Sequence, residues 1–284
     1  MYTNLIECDQ LQTILSGSER GDNIVIFDCR HDLMNPDYGK NAYSEKHIVG
    51  ALFASIDDDL STARNGNNGR HPLPTREKFC AWLGENGVDN NTQVIAYDDA
   101  GGVYGSRLWW MLRWVGHDAC AVLHGGIKAW EASNGDLTSI PCSPTKTSIF
   151  DCNPRDIAVD VVSVIKNIKT KEMLVVDARA NDRFHGKNEM IDPVGGHIPG
   201  AVNRFFKNNL DEQGRFLPAD ELRKAFLDLA GTMDTSSLIH QCGSGVSACH
   251  NILAMDIAGL APGKLYPGSW SEWVSDDQRP VATD

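Results

Sequence analysis

The 284-residue sequence lacks the patterns that mark membrane, secreted and nucleic-acid-binding proteins. No apolar run approaches the roughly 18–20 residues that span a bilayer. The opening stretch MYTNLIECDQ has neither a basic segment nor an apolar core, so we expect no secretory signal. The formal net charge of −12 argues against the basic surface that displaces counterions from nucleic acid. We therefore expect a cytoplasmic protein with no membrane and no nucleic-acid partner.

The cysteines lack the spacings of a disulfide framework or a metal site. No C-x-x-C pair and no paired metal-ligand pattern occurs among them. In a cytoplasmic chain of this size most cysteines are expected to be buried small hydrophobic residues. The eight are Cys8, Cys29, Cys80, Cys120, Cys142, Cys152, Cys242 and Cys249. A catalytic role for any one of them therefore needs support from its surroundings.

The two halves of the chain repeat one plan. Four pairs of segments match in the same order and at nearly constant offset: VIFDCR with VVDAR, KHIVGA with GHIPGA, VIAYDDAGG with LIHQCGSG, and LHGGIKAW with LYPGSWSEW. This agreement predicts a duplicated domain. We place an N-terminal domain at residues 1–135, a linker rich in Ser, Thr and Pro at 136–156, and a C-terminal domain at 157–284.

Each half alternates short runs rich in Val and Ile with helical patterns. Buried strands are predicted at residues 23–28, 92–98, 119–125, 173–179 and 236–241, and helices at 106–117, 218–231 and 246–260. This alternation predicts an α/β protein in which each domain is an open, mostly parallel sheet with helices on both faces. Ligands of such sheets bind beyond the carboxyl ends of the strands, and residue 242 follows such an end.

The segment QCGSGVS delivers Cys242 from a strand into a glycine-rich loop that opens a helix. Gly243 and Gly245 can adopt unusual backbone angles and leave no side chain in the way, so successive amide N–H groups can converge on the sulfur. The helix N-terminus adds partial positive charge, and Ser244 and Ser247 add hydroxyl donors. The alternative is a buried cysteine before a simple glycine turn. The loop favours a nucleophile whose thiolate or persulfide is stabilised.

Several cysteine chemistries are compatible with a loop of amides. A cysteine phosphatase needs an arginine six residues after the nucleophile, and that position holds Ala248. A Cys-His hydrolase needs a distant histidine, and His197, His240 and His250 remain candidates. A tight cradle of amides best suits an anion on the sulfur itself. Sulfur transfer therefore fits the loop best.

The motifs resemble those of a known family. CGSGVSA resembles the active-site loop of 3-mercaptopyruvate sulfurtransferases, and GRHPLP, DARANDRF, GSWSEW and the two HI(V/P)GA segments resemble the tandem-rhodanese family that contains them. The resemblance implies two rhodanese-like domains, the first of them catalytically inactive because Asp98 stands where the second has Cys242. Thiosulfate sulfurtransferases of this family carry Arg and Lys where this chain has Gly243 and Ser244, so the loop favours mercaptopyruvate as the donor.

The resemblance also implies a mechanism. The Cys242 thiolate takes sulfur from 3-mercaptopyruvate, and the resulting persulfide passes it to a thiol such as thioredoxin, or to cyanide. No cofactor and no metal are expected. Thiosulfate as the donor, or a sulfur-carrier or redox-sensing module that does not turn over, are the alternatives.

The family implies roles for several further residues. Arg183 is expected to bind the anionic end of the donor. The loop that surrounds the bound donor is expected to consist of Gly243, Gly245, Val246 and Ser247. His47 is expected to form a proton relay with Ser244 and an aspartate, for which Asp37 is the candidate. His197 occupies the duplicate position, so one of these two histidines could simply cap the H-I-x-G-A turn. Arg179 is expected to be a structural ion-pair partner.

One departure from the family concerns donor binding. A second arginine is common between the RF segment and GHIPG, but residues 187–195, KNEMIDPVG, contain none. Lys187 is the only cation there, and an ammonium binds a carboxylate less rigidly than a guanidinium fork does. This absence leaves the choice of donor open.

Overall fold

A computed structural model describes residues 1–17 and 23–284 and divides the chain into two compact units. Unit 1 comprises Met1–Ser61, Pro74–Arg155 and Glu212–Arg215, and unit 2 comprises Thr62–Leu73, Asp156–Asp211 and Phe216–Asp284. The segment Thr62–Leu73 thus belongs with unit 2, although the sequence-based division places it in the first domain. No helix in the described ranges has both the length and the apolar character needed to cross a membrane.

Unit 1 contains seven strands and five helices in its described residues. In chain order they are β1 (Leu5–Ile6), α1 (Cys8–Ser16), β2 (Ile24–Asp28), α2 (Tyr38–Glu45), β3 (His47–Ile48), β4 (Leu52–Phe53), α3 (Arg76–Glu85), β5 (Gln93–Tyr97), α4 (Gly105–Trp114), β6 (Cys120–Leu123), α5 (Gly126–Ala132) and β7 (Leu137–Thr138).

The main sheet of unit 1 is entirely parallel. Its strand order is β1-β6-β5-β2-β4, and a separate antiparallel pair joins β3 to β7. The central strands are short and apolar because helices cover a parallel sheet. Between β5 and β6, helix α4 is buried along nearly all its length, including Trp109 and Trp110. These tryptophans are core residues.

Unit 2 repeats this plan with fewer strands. Its elements are α6 (Val161–Thr170), β8 (Leu174–Asp177), α7 (Asn181–Phe184), β9 (Val202–Asn203), α8 (Ala219–Ala230), β10 (Leu238–Gln241), α9 (Ser247–Ile257), β11 (Lys264–Leu265) and α10 (Ser269–Trp273), with short 3-10 helices at Phe206–Asn209 and Thr235–Ser237.

The parallel sheet of unit 2 carries the site. Its order is β11-β10-β8-β9, so β10 lies inside the sheet with a parallel neighbour on each side. Every residue of β10 is buried, and α9, which follows it, is buried from Ala248 to Met255. A strand and a helix that are buried along nearly all their length position the loop between them rigidly. Trp270 and Trp273 of α10 are fully buried in the unit 2 core.

Each unit contains the same buried ion pair after its first main strand. Arg30 donates to Asp28, and Arg179 donates to Asp177, through Nε and Nη2 at 2.6–3.1 Å. The structural role predicted for Arg179 is confirmed by this pair. Because each arginine also donates to a backbone carbonyl 2.6 Å away, the pair ties the strand end to the H-I-x-G-A turn region.

Candidate active site

The thiol of Cys242 lies directly after the carboxyl end of β10. Its Sγ accepts the backbone N–H of Gly245 at 3.2 Å. The N–H of Cys242 donates to the hydroxyl of Ser269 at 3.1 Å, and its carbonyl accepts the N–H of Trp270 at 2.9 Å. The residue is only 1% exposed. The sulfur is therefore held at the base of the loop, with an amide donor directed at it.

Gly245 gives the loop its shape. Its φ is +77°, a left-handed angle that residues with a Cβ adopt only with strain. A Cβ at this position would also lie 2.3 Å from the carbonyl oxygen of Pro267. Only glycine meets both conditions, and the N–H that reaches Cys242 depends on this conformation.

A hydroxyl of the loop that follows Cys242 contacts an imidazole. The Oγ of Ser244 lies 2.7 Å from Nδ1 of His71, and both residues are buried. His71 comes from Thr62–Leu73, the segment that belongs to unit 2. The partner predicted for Ser244 was His47. The structure gives Ser244 a different histidine, because the chain brings a distant loop to the site that no local pattern specifies.

His47 and His197 have equivalent positions inside their own units. Nδ1 of His47 is 2.7 Å from the carbonyl of Tyr43, and its ring stacks on that tyrosine at 3.8 Å. Nδ1 of His197 is 2.9 Å from the carbonyl of Phe184, and its ring stacks on that ring at 3.8 Å. Both imidazoles therefore hold the H-I-x-G-A turn. Asp37 is exposed at the start of α2, so the structure does not bring it to His47.

Arg183 lies on α7 and is held by two carboxylates. Its Nε and Nη2 donate to Glu189 at 2.9 and 3.0 Å, and Nη2 also donates to Asp192 at 3.0 Å. Burial alone would raise the pKa of Glu189, but the hydrogen bonds from Arg183 and from two backbone amides lower it overall. The side chain of Arg183 is 18% exposed, whereas that of Glu189 is 5% exposed. The two carboxylates thus fix the position of the Arg183 guanidinium.

A second guanidinium, that of Arg70, lies near Gly243 in the loop that follows Cys242. Its Nη1 donates to Asp192 at 2.7 Å, so Asp192 bridges Arg70 and Arg183. A Cβ at Gly243 would lie 2.9 Å from Nη2 of Arg70. Arg70 is not among the site residues expected from the sequence. The GRHPLP segment was part of the family resemblance, but nothing in its local pattern indicated which of its side chains would reach Cys242.

The other predicted loop and cation residues are placed as follows. Val246 precedes α9 and is buried, and Ser247 is the first residue of that helix and half-buried. Lys187 is exposed, and its backbone N–H donates to the carbonyl of Asp182. The groups near Cys242 include amides, hydroxyls and guanidiniums, which are donors that suit an anion.

Known proteins resemble the chain along its whole length. The model of the rhodanese-like domain matches it twice, at residues 11–133 and 160–276. A probable 3-mercaptopyruvate sulfurtransferase from Pseudomonas aeruginosa is 40% identical over 282 residues, covering 98% of each chain. The chain belongs to the rhodanese family. Its predicted membership, its α/β fold with two rhodanese-like domains and its class as a sulfurtransferase are confirmed by these matches.

Two further rhodanese-family proteins agree with this assignment. The thiosulfate sulfurtransferase of Rattus norvegicus is 32% identical over 278 residues, which cover 96% of this chain and 92% of that protein. The solved structure of a 3-mercaptopyruvate sulfurtransferase from Leishmania major matches with a TM-score of 0.83 and 31% identity, covering 98% of this chain and 75% of that one. Relatives with either named donor are therefore similar to this sulfurtransferase.

The first rhodanese-like domain has a loop of the same kind after β5. Asp98 occupies the position that Cys242 has after β10, and its carboxylate is fully buried. Both carboxylate oxygens accept backbone N–H groups at 2.8–2.9 Å, donated by Ala100, Gly102, Tyr104 and Gly105. The amides of this loop therefore form a site for an anion, and the carboxylate of Asp98 occupies it.

Proposed function

We propose that this rhodanese-family sulfurtransferase takes sulfur from 3-mercaptopyruvate through a persulfide on Cys242. The acceptor is a thiol, such as that of reduced thioredoxin, or cyanide, and the protein works in the cytoplasm. The amide that Gly245 directs at the sulfur supports a role for Cys242 as the nucleophile. No cofactor takes part in the proposal.

The observation that carries the choice of donor is the contact between Ser244 and His71, 2.7 Å apart and buried. Attack of the Cys242 thiolate on the donor thiol forms an S–S bond and breaks the C–S bond. The electron pair of that C–S bond stays on carbon, giving the enolate of pyruvate, which must take up a proton. We assign the proton to His71, delivered through the hydroxyl of Ser244.

Thiosulfate makes no such demand. Cleavage of its S–S bond leaves sulfite, which is stable as an anion and needs no proton in the step. A hydrogen-bonded imidazole and hydroxyl beside the nucleophile therefore favour a donor whose leaving group is a carbanion equivalent. In this proposal His71 takes the relay role expected for His47, and Asp37 has no part in it.

We propose further that the N-terminal domain is catalytically silent. A carboxylate cannot form a persulfide, and the four amides that surround Asp98 are already occupied by its own oxygens. Catalysis then depends on the C-terminal domain together with the segment that carries His71. The proposed domain roles thus follow the difference between Asp98 and Cys242.

The test compares donors and the fate of Cys242. Wild-type protein should release pyruvate from 3-mercaptopyruvate faster than it releases sulfite from thiosulfate, each with cyanide as the acceptor. Donor-treated protein without acceptor should gain about 32 Da, one sulfur atom, on the Cys242 peptide. Cys242→Ser should abolish both results, whereas Cys152→Ser, at an exposed cysteine, should leave them unchanged.

Three outcomes would contradict the proposal. Faster sulfite release would assign thiosulfate as the donor. A persulfide that forms on Cys242 without turnover would indicate a sulfur carrier or redox sensor. Pyruvate release by Cys242→Ser at the wild-type rate would exclude Cys242 as the nucleophile.

A further inference from the structure

We propose that Cys80 and Cys152 form a reversible disulfide when the protein meets a peroxide, at a site separate from Cys242. Both residues belong to unit 1. Cys80 lies in the middle of α3, and Cys152 lies in the segment that the sequence predicts as a linker. A disulfide between them would join this segment to α3 covalently. The inference does not depend on the proposed sulfur-transfer reaction.

Hydrogen bonds fix the backbone on both sides of Cys152. The N–H of Asp151 donates to Oδ1 of Asn90, and Nδ2 of Asn90 donates to the carbonyl of Asp151, both at 2.8 Å. On the other side, the N–H of Asn153 donates to the carbonyl of Val115 at 3.0 Å. Cys152 is therefore exposed but lies between two anchored neighbours, so its place on unit 1 is defined.

The same segment packs on the face of α3 that carries Cys80. Gly84 follows Cys80 by about one helical turn and therefore lies on the same face. The N–H of Ser148 donates to the carbonyl of Gly84 at 2.8 Å, and a Cβ at Gly84 would lie 2.4 Å from the carbonyl oxygen of Ser148. The absence of a side chain at position 84 thus lets the segment approach this face closely.

The two thiols contact each other. The side chains of Cys80 and Cys152 are hydrogen-bonded. Burial, and next this hydrogen bond, raise the pKa of the Cys80 thiol to about 12. Cys80 therefore keeps its proton and donates it to the sulfur of Cys152. Thiols in hydrogen-bond contact need only small side-chain rotations to reach the geometry of a disulfide.

Exposure gives the two cysteines different roles. Cys152 is exposed, whereas Cys80 is only 7% exposed. A peroxide in solution reaches Cys152 first, and an accessible thiol beside a second thiol is the usual arrangement of a redox-sensitive pair. Cys80 is shielded from the oxidant but contacts the sulfur that is attacked. Cys152 is thus the thiol that is oxidised, and Cys80 is the thiol that resolves it.

The reaction takes place in two steps, with hydrogen peroxide as the oxidant. The Cys152 thiolate attacks one oxygen of the peroxide, the O–O bond breaks, and the hydroxide that leaves takes up a proton to give water. The product is a sulfenic acid on Cys152. The sulfur of Cys80 then attacks the sulfur of Cys152, the S–O bond breaks, and a second water leaves with the proton of Cys80. The two thiols together lose two electrons and two protons, and the peroxide is reduced to two waters.

The test treats reduced protein, free of any sulfur donor, with hydrogen peroxide and then blocks the remaining thiols with N-ethylmaleimide in denaturant. The protein is digested and its peptides are analysed by mass spectrometry without reduction. A peptide containing Cys80 should be joined to one containing Cys152, about 2 Da below the sum of the two reduced peptides because two hydrogen atoms are lost. Dithiothreitol should release both peptides.

Single substitutions identify the pair. Cys152→Ser should abolish the joined peptide without disturbing the fold, because the residue is exposed, and Cys80→Ser should abolish it too. Cys142→Ser is the matched control, since Cys142 is a half-buried cysteine of the same linker, and it should leave the joined peptide unchanged. Cys242→Ser should also leave it unchanged, which separates this site from the proposed nucleophile.

Several results would overturn the proposal. Oxidation of Cys152 to its sulfinic acid, with Cys80 still alkylated, would show that the second thiol does not resolve the first. A bond from Cys152 to any other cysteine would assign a different pair. Mixed pairs of labelled and unlabelled peptides, from a mixture of isotopically labelled and unlabelled protein, would show that the bond joins two chains.

Thermal unfolding provides an independent measurement. The disulfide would close a long loop of the chain, and such a cross-link stabilises a protein mainly by restricting its unfolded state. Peroxide-treated wild-type protein should have a Tm about 5–15 °C above that of the reduced protein. The shift should disappear on reduction and should be absent from Cys152→Ser. No shift in wild type, or an equal shift in Cys152→Ser, would contradict a disulfide between α3 and the linker.

Discussion

Substitution of Gly245 by alanine tests whether the loop conformation holds the nucleophile. The residue has φ +77°, its N–H donates to Sγ of Cys242 at 3.2 Å, and a Cβ would lie 2.3 Å from the carbonyl oxygen of Pro267. The clash is with backbone, so no side chain can move aside to relieve it. The loop must shift, and the amide must move with it.

Two contributions determine the expected loss of stability. A left-handed φ costs an L residue about 1–2 kcal/mol, and forcing a methyl group into a filled site costs about 1–3 kcal/mol. Gly245→Ala should therefore lower the free energy of unfolding by about 2–5 kcal/mol. Gly200 has φ +83° with nothing within 4 Å of its Cβ position, so Gly200→Ala should show the φ cost alone.

The assays are denaturant unfolding of both variants and alkylation of Cys242, followed by mass spectrometry of its peptide. Loss of a hydrogen bond to a charged sulfur should slow alkylation at fixed pH by about tenfold in Gly245→Ala. Gly200→Ala should alkylate at the wild-type rate. Equal stability losses in the two variants, with unchanged alkylation of Cys242, would refute the reasoning.

The remaining predictions concern two histidines. His71→Gln should slow pyruvate release from mercaptopyruvate by about 100-fold, since general acid catalysis contributes at least that much, and should hardly change sulfite release from thiosulfate; equal effects on both donors would contradict the relay. Burial, partly opposed by the Pro262 carbonyl, lowers the pKa of His240 to about 4. Between pH 6.5 and 4 the unfolded chain therefore binds more protons, and the free energy of unfolding should fall by up to about 3 kcal/mol as the pH drops. His240→Leu should flatten that part of the pH profile in denaturant unfolding, and an unchanged slope would exclude His240 as its source.

The fold was accessible to sequence reasoning because its signals are local and occur twice. β2, β5, β6, β8 and β10 lie within the predicted strand segments, and α4, α8 and α9 coincide with the predicted helices to within a few residues. Apolar runs, helix-ending glycines and the four repeated segments all depend on neighbouring residues. The nucleophile was accessible for the same reason, since strand, loop and helix are contiguous around Cys242.

The partners of the nucleophile were not accessible in this way. His71 and Arg70 precede Cys242 by most of the chain, and only the placement of Thr62–Leu73 with unit 2 brings them to the loop. Spacing along the sequence carries no information on such an approach. Lys187, considered because it is the only cation in residues 187–195, is exposed.

The internal repeat nevertheless helps to distinguish residues that support the fold from residues that take part in the chemistry. A residue present in both copies is expected to serve the fold, because only one copy has the proposed nucleophile. His47 and His197 form such a pair, and the structure gives them matching contacts with a carbonyl and a ring. The presence of a histidine at the same position in both copies thus indicated a structural role in the H-I-x-G-A turn, where both histidines lie.

Residues without a counterpart carry the differences between the copies. GRHPLP is absent from the four repeated pairs of segments. Cys242 corresponds in the repeat to Asp98. The two loops differ in the source of the negative charge that their amide groups contact. Asp98 brings its own negative charge to the amides, and the cradle is complete without a ligand. In the proposed reaction Cys242 becomes an anion only as a thiolate or persulfide. Its loop would then stabilise charge that exists during the reaction, which is the condition under which such donors accelerate chemistry.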